Sequence, residues 1–346
     1  MTGYTENITV SEKYRKNYLE SIDKTIEYLC AESANRRAEF VRGMKDNMSL
    51  YRQKYIEMFG YPLNSLGSDR KPPDVKREFV VSDNICDIYR LTINTFMQIQ
   101  LYGLLLIPHG VSNAPLVICQ HGGWGTPESC CDMHGNNNYN HMARRSVKEG
   151  AVVFAPQQLL WNMDNIVDNA PVYGIPYDRD LIDKKLKHYG SSLVSVEIYN
   201  IIRAIDYLVC LDEVDEDKIG MIGLSYGGFY TLYTMAAETR IKVGYSSCFF
   251  NDRNRYDQLD WTWANSGNTF HDAEIACLCA DRYICIEVGK EDTVFDCKTA
   301  LEEYERLKNY LDYLGLSDHV MFNVWDGGHK ISMQDNTYNF FLKHLK

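Results

Sequence analysis

After Pro115 the chain settles into one rhythm, short apolar runs separated by longer stretches with helical spacing. The runs fall at residues 116–119, 151–155, 219–222, 243–247, 283–288 and 320–324. The clearest intervening helix spans 192–211, with Val194, Ile198, Ile201, Ile202, Ile205 and Leu208 on one side, and others are expected at 138–149, 299–314 and 335–345. Strands that read as unbroken apolar runs are buried on both faces, and helices between them act as crossovers to parallel neighbours. The pattern therefore predicts an α/β architecture, a mostly parallel sheet covered by helices on both faces. Residues 76–107 differ. Phe79 to Val81 and Tyr89 to Ile93 are β-prone, and Met97, Ile99 and Leu101 alternate with Gln98 and Gln100, which predicts an antiparallel entry to that sheet.

The 346 residues suit one large domain with additions. We place its boundaries at 76–346, with residues 1–75 as an N-terminal helical extension or cap. In that extension Thr9-Val10-Ser11-Glu12 has the form of a capping box, and Tyr14, Tyr18, Ile22, Ile26 and Leu29 recur at helical spacing. A second helix is expected from about 34 to 59, stopped by Gly60 and Pro62. A cap, a dimer contact and plain packing all fit these helices, so a homo-oligomer stays open.

A formal charge of −11 repels phosphate backbones and anionic lipid, so neither nucleic acid nor membrane is an expected partner. No run approaches the ~18 apolar residues of a membrane span, and the first ten residues lack the basic and apolar regions of a signal peptide. The eleven cysteines are odd in number and lack zinc-ligand spacing, which reads as reduced, mostly buried thiols in a cytoplasmic protein. With no H-E-x-x-H and no phosphate-binding glycine loop, neither metal nor cofactor is expected.

Chemistry concentrates where the runs end. Gly223-Leu224-Ser225-Tyr226-Gly227-Gly228 lies between an apolar run and a helical stretch, the context of a nucleophile elbow that exposes a serine on a sharp turn. A serine hydroxyl needs a base, and the base needs a group to orient it. His329 in Asp326-Gly327-Gly328-His329 directly follows the last run, and Asp292 in Gly289-Lys290-Glu291-Asp292 follows the one before. Glu291 and Asp252 compete with Asp292 as the acid. An oxyanion must also be met by backbone N–H groups. Tyr226 is one candidate donor, and Gly123 or Trp124 in His121-Gly122-Gly123-Trp124-Gly125 is the other, with His121 bracing that loop. Two long connections, 157–187 and 249–280, begin at carboxyl ends of strands and are expected to wall the pocket, with Trp161, Trp261 and Trp263 as candidate contacts.

Through HGGWG, GLSYGG, GKED and GGHK, residues 103–346 resemble the α/β-hydrolase superfamily. The N-terminal helices and segments 197–208 and 272–295 also look like bacterial serine esterases related to acetyl xylan esterases and dienelactone hydrolases. The resemblance implies an α/β-hydrolase fold with an eight-stranded sheet, and cofactor-free cleavage of small-molecule carboxylic esters, often acyl groups on sugars, through an acyl-enzyme. Two departures matter. Dienelactone hydrolases use a cysteine where this chain has Ser225, and glucuronoyl esterases place a basic residue where it has Tyr226, which argues against a uronate ester. An oligopeptidase-like serine peptidase shares the catalytic domain, but as a family it carries a propeller that roughly a hundred preceding residues cannot build. A non-catalytic hydrolase-fold binding protein is the third reading.

Overall fold

The computed structural model describes residues 3–68, 70–135, 137–160, 177–332 and 334–346. Two helices come first, α1 (Glu12–Asp46) and α2 (Met48–Phe59). Strands β1 (Val75–Ser82), β2 (Cys86–Phe96), β3 (Ile99–Pro108) and β4 (Ala114–Gln120) follow, then the short helices α3 (Pro127–Cys130) and α4 (Met142–Lys148). Next come β5 (Val152–Pro156), α5 (Arg179–His188), α6 (Leu193–Leu208), β6 (Val214–Leu224) and α7 (Tyr226–Ala237). The chain ends with β7 (Ile241–Ser247), α8 (Asp272–Cys279), β8 (Tyr283–Gly289), α9 (Cys297–Leu314), β9 (Val320–Trp325) and α10 (Asp335–Leu345).

The strands form one sheet in the order β1-β2-β3-β5-β4-β6-β7-β8-β9. From β5 to β9 every neighbour is parallel, whereas β1, β2 and β3 run antiparallel to their neighbours. The six apolar runs became β4 to β9. The sheet has nine strands rather than the expected eight. The additional β1 lies at the outer edge, has no buried residue and carries Lys76, Arg77 and Glu78, chemistry that discourages further pairing. Strand order reverses at β4, which sits between β5 and β6, so a crevice opens beyond its carboxyl end.

Two cores lie on the two faces. One gathers α2, α6, α7 and α8, and the other gathers α4 and α10. Helix α6 shows the logic: Ser192 caps it by accepting from the Ser195 amide, and Val194, Ile198, Ile201, Ile202, Ile205 and Leu208 are fully buried. Burying side chains of this kind is worth about 1.5–3 kcal/mol each.

The N-terminal helices differ from the expectation in two respects. Helix α1 runs unbroken for 35 residues, because Cys30 to Ala34 holds nothing that stops a helix. The break comes at Asn47, whose side chain accepts from the Leu50 amide and caps α2. The expected capping box does not form either. Residues Ile8–Ser11 make a 3-10 turn capped by Asn7, and the Ser11 hydroxyl meets Arg15 instead.

Candidate active site

One residue separates β6 from α7, and it is Ser225, with φ 59° and ψ −122°. A non-glycine residue in such a conformation costs on the order of 1–3 kcal/mol and persists only where its surroundings enforce it. Here they do. The Ser225 amide donates to the Ser247 carbonyl at 2.9 Å, and its carbonyl accepts from the Phe229 amide at 2.9 Å. A Cβ on Gly223 would lie 2.2 Å from the Gly227 carbonyl oxygen, and one on Gly227 would lie 2.1 Å from that of Gln120. The two glycines of the motif are thus required by backbone contact.

Beyond β9, the His329 Nδ1 donates to Asp292 Oδ2 at 2.9 Å. The other Asp292 oxygen accepts from the amides of Val294 (2.7 Å) and Phe295 (3.0 Å). Burial pushes the Asp292 carboxyl up, but His329 and the two amides outweigh it and hold the group below the usual carboxylate range. A carboxylate on Nδ1 fixes the proton there and leaves the Nε2 lone pair to accept one. Of the three acids considered, Asp292 is the one bonded to the histidine. Glu291 is exposed, and Asp252 is occupied in a local turn with Asn254.

A short chain of contacts brings Ser225 and His329 to one rim. Ser247 holds the Ser225 amide, and the next residue, Cys248, sets its Sγ against the carbonyls of Gly328 (3.8 Å) and Lys330 (3.5 Å), on either side of His329. Among the described residues no hydrogen bond joins the Ser225 hydroxyl to His329. Cys248, Asp292 and His329 each place a metal-ligating atom within 4.8 Å of the others. Burial, reinforced by Asp292, pushes the Cys248 thiol far up, which disfavours the thiolate a metal would need.

The loop after β4 closes on the other side. A Cβ on Gly122 would lie 3.2 Å from that of Ser225, so this loop touches the elbow serine. Its own amide donates to the Tyr139 hydroxyl at 2.9 Å, which leaves Gly123 and Trp124 as the candidate donors of the loop, beside the Tyr226 amide that opens α7. His121 is buried and neutral, its pKa lowered to about 4 by desolvation. Its Nε2 accepts from the Gln158 amide at 3.0 Å, so Nδ1 carries the proton and donates to the Gly122 carbonyl at 2.8 Å. That is a brace.

A cavity of about 700 Å³ opens beside this loop, between Gly125 and Thr126, the start of β3, α5 and α6. Leu101, Tyr102, Leu159, Ile182, Leu186 and Val196 are among its walls. Two expected pocket residues are elsewhere. Trp261 and Trp263 are core residues: Trp261 packs on Tyr226 and Phe229, and Trp263 packs on Phe59 with ring centroids 4.6 Å apart. Neither lines that cavity, because the aromatic side chains of α2 and α7 claim both rings. Trp161 lies outside the described residues.

One buried network escaped the sequence. Arg179 Nε meets Asp260 at 2.9 Å and its Nη2 meets Glu197 at 3.1 Å, all three side chains being nearly inaccessible. The Tyr226 hydroxyl donates to Asp260 at 3.2 Å, and Glu197 accepts from the Leu159 amide at 2.7 Å. The residue after the elbow serine is thereby tied to the cavity wall. No local pattern marks an arginine as buried, and only three-dimensional proximity reveals it.

Fold and site together define the class of architecture, an α/β-hydrolase fold. The prolyl oligopeptidase family (Peptidase_S9) matches residues 192–346, which carry the elbow, Asp292 and His329. A protein of Bacteroides fragilis described as an acetyl xylan esterase superposes with a TM-score of 0.64 at 15% identity, over 87% of this chain and 82% of that one. Acetyl xylan esterase 1 of a Thermoanaerobacterium species gives 0.56 at 18% identity over 87% and 94% of the two chains. The glucuronoyl esterase of Solibacter usitatus gives 0.59 at 14% identity over 89% and 92%. At such identities these structures establish a common fold. YtaP of Bacillus subtilis, described as a hydrolase, is 36% identical over 67 residues, 19% of this chain. The match spans about a fifth of that relative, 22% of its length. No helix among the described residues is long and apolar enough to cross a membrane.

Proposed function

We propose that the chain is a serine esterase that hydrolyses carboxylic esters through an acyl-enzyme. The observation that carries the reading is the Asp292–His329 pair at 2.9 Å, held on the same rim as a strained elbow serine. In this mechanism Ser225 Oγ attacks the ester carbonyl while His329 Nε2 takes its proton. Asp292 stabilises the imidazolium, and the Tyr226 amide with one from Gly123 or Trp124 meets the oxyanion. His329 then returns the proton to the leaving alcohol, and water cleaves the acyl-enzyme by the same route in reverse. The Ser225 hydroxyl and His329 need come into hydrogen-bond range only with substrate bound, since such bonds tighten in the Michaelis complex.

The largely apolar cavity beside the oxyanion loop supports an uncharged acyl or alkyl group on the substrate. The similarity in fold to esterases of acetylated xylan makes acylated sugars the first class to try. A panel from acetyl to octanoyl esters, on phenols and on sugars, tests the reading with wild type and Ser225→Ala; turnover in both would refute it. The oligopeptidase family match favours a second reading, cleavage of short peptide amides. A chain that cleaves a peptide amide and no ester would reverse the order.

A further inference from the structure

Helix α1 is two different helices in one. Its last third docks on the body through Ser33, Arg37, Val41 and Met44, with buried Arg37 ion-paired to Glu274. The first two thirds stand exposed, from Glu12 to Ala31. One face of this exposed part is apolar. Tyr14 (62%), Tyr18 (71%), Leu19, Ile22, Ile26 (52%) and Leu29 are all open to solvent. At 100° per residue these six fall within one apolar stripe, and Leu19, Ile22, Ile26 and Leu29 repeat at spacings of three, four and three, the seam of a coiled coil.

We propose that this stripe is a homodimer interface, formed by antiparallel pairing with α1 of a second copy of the chain. Three arguments select this occupant. In an antiparallel pair centred near Lys24, Leu19 meets Leu29 of the other copy and Ile22 meets Ile26, so the seam is self-complementary as a two-fold axis requires. Charge sets the direction: residues 12–18 hold Lys13, Arg15 and Lys16 against Glu12, whereas residues 20–32 hold Glu20, Asp23, Glu27 and Glu32 against Lys24. In that register residues 12–18 face residues 30–36, whose Glu32 and Arg36 balance, whereas parallel pairing would set the basic turn against its own copy.

Area is the third. From typical side-chain surfaces the six apolar residues expose on the order of 600 Å² in one patch, the top of what a lone chain leaves uncovered. A stable interface buries roughly 800 Å² per partner. Tyr4, Ile8 and Val10, also exposed, precede the stripe and would reach the second copy's body, supplying the difference. The unfavourable approach is Asp23, which meets its own copy near the axis.

Sedimentation velocity over a range of concentrations tests this on wild type, on Ile22→Glu/Ile26→Glu and on Asp23→Asn. The expected result is a wild-type dimer. The double variant should dissociate at least ~100-fold more readily, since buried unpaired carboxylates are costly, with an unchanged helical circular dichroism signal and unchanged ester turnover. Asp23→Asn should dimerise more tightly than wild type. A wild type that is monomeric throughout, or a dimer that survives the double substitution, overturns the proposal. So does a monomer that co-sediments with lipid vesicles through the same residues, which would assign the stripe to a membrane surface.

Discussion

The His329 imidazole donates from Nδ1 to Asp292, 37 residues earlier in the chain and one strand away in the sheet. Asp292 is itself fixed by two backbone amides, so the histidine is oriented by a group that cannot turn away. Asp292→Asn should keep this geometry but favour the wrong tautomer, and we expect kcat to fall by about 10²–10⁴ with KM little changed. Glu291→Gln and Asp252→Asn should stay within twofold of wild type. Steady-state kinetics on one ester separates the three.

Gly227→Ala places a methyl against the Gln120 carbonyl, whose backbone has no room to yield. The elbow must distort, so we expect loss of both ester turnover and several degrees of thermal stability. Gly315→Ala, at a left-handed helix end with open space around it, should cost stability without touching activity. Melting temperature and kcat measured together distinguish local strain from site disruption.

Tyr139→Phe deletes the acceptor of the Gly122 amide. A buried donor left unpaired costs about 1–3 kcal/mol, and the loop that carries the proposed oxyanion donors loosens. Turnover should fall about tenfold at constant substrate affinity, a prediction that kcat and KM for Tyr139→Phe check directly.

Arg179→Met removes the cation between Glu197 and Asp260. Breaking a buried pair from one side typically costs about 3–5 kcal/mol because charge is left behind. Urea denaturation should show that loss, and adding Glu197→Gln and Asp260→Asn should restore part of it.

A second buried charge cluster predicts how stability changes with pH. Burial and Glu274 raise the Glu303 carboxyl to about 8, with Asp272 adding to the effect and Arg306 opposing it. Asp272 is itself raised to about 6 by burial, with Arg253 opposing. A carboxyl whose pKa is raised on folding binds its proton more tightly in the folded protein, so its contribution is intact below the unfolded value. It is lost as pH rises toward the folded pKa. Wild type should therefore lose stability between about pH 4.5 and 8, while Glu303→Gln, which keeps an oxygen for the Ala273 amide, should lose less. Urea midpoints at four pH values decide it.

The parts legible in the sequence are those whose signal is local. Apolar runs gave β4 to β9 because a doubly covered strand has no polar face to write, and the elbow was readable because close backbone contact demands glycine on both sides of Ser225. The expected start of a second helix near residue 34 has no stop signal before it, whereas Asn47 supplies the actual break and cap. Loop position alone points Trp261 and Trp263 toward a pocket, whereas the rings of α2 and α7 hold them in the core. The Arg179 network and the Tyr139 bond to Gly122 join residues from separate elements, and no periodicity encodes such contacts.

The central claim is that Ser225 is a nucleophile activated by His329. Mass spectrometry after treatment with a fluorophosphonate tests it in one step. We expect a single adduct on Ser225 in wild type, and loss of most labelling in His329→Ala protein that retains its fold. Folded wild type that takes up no label at Ser225, or labelling unchanged in the histidine variant, would contradict the account.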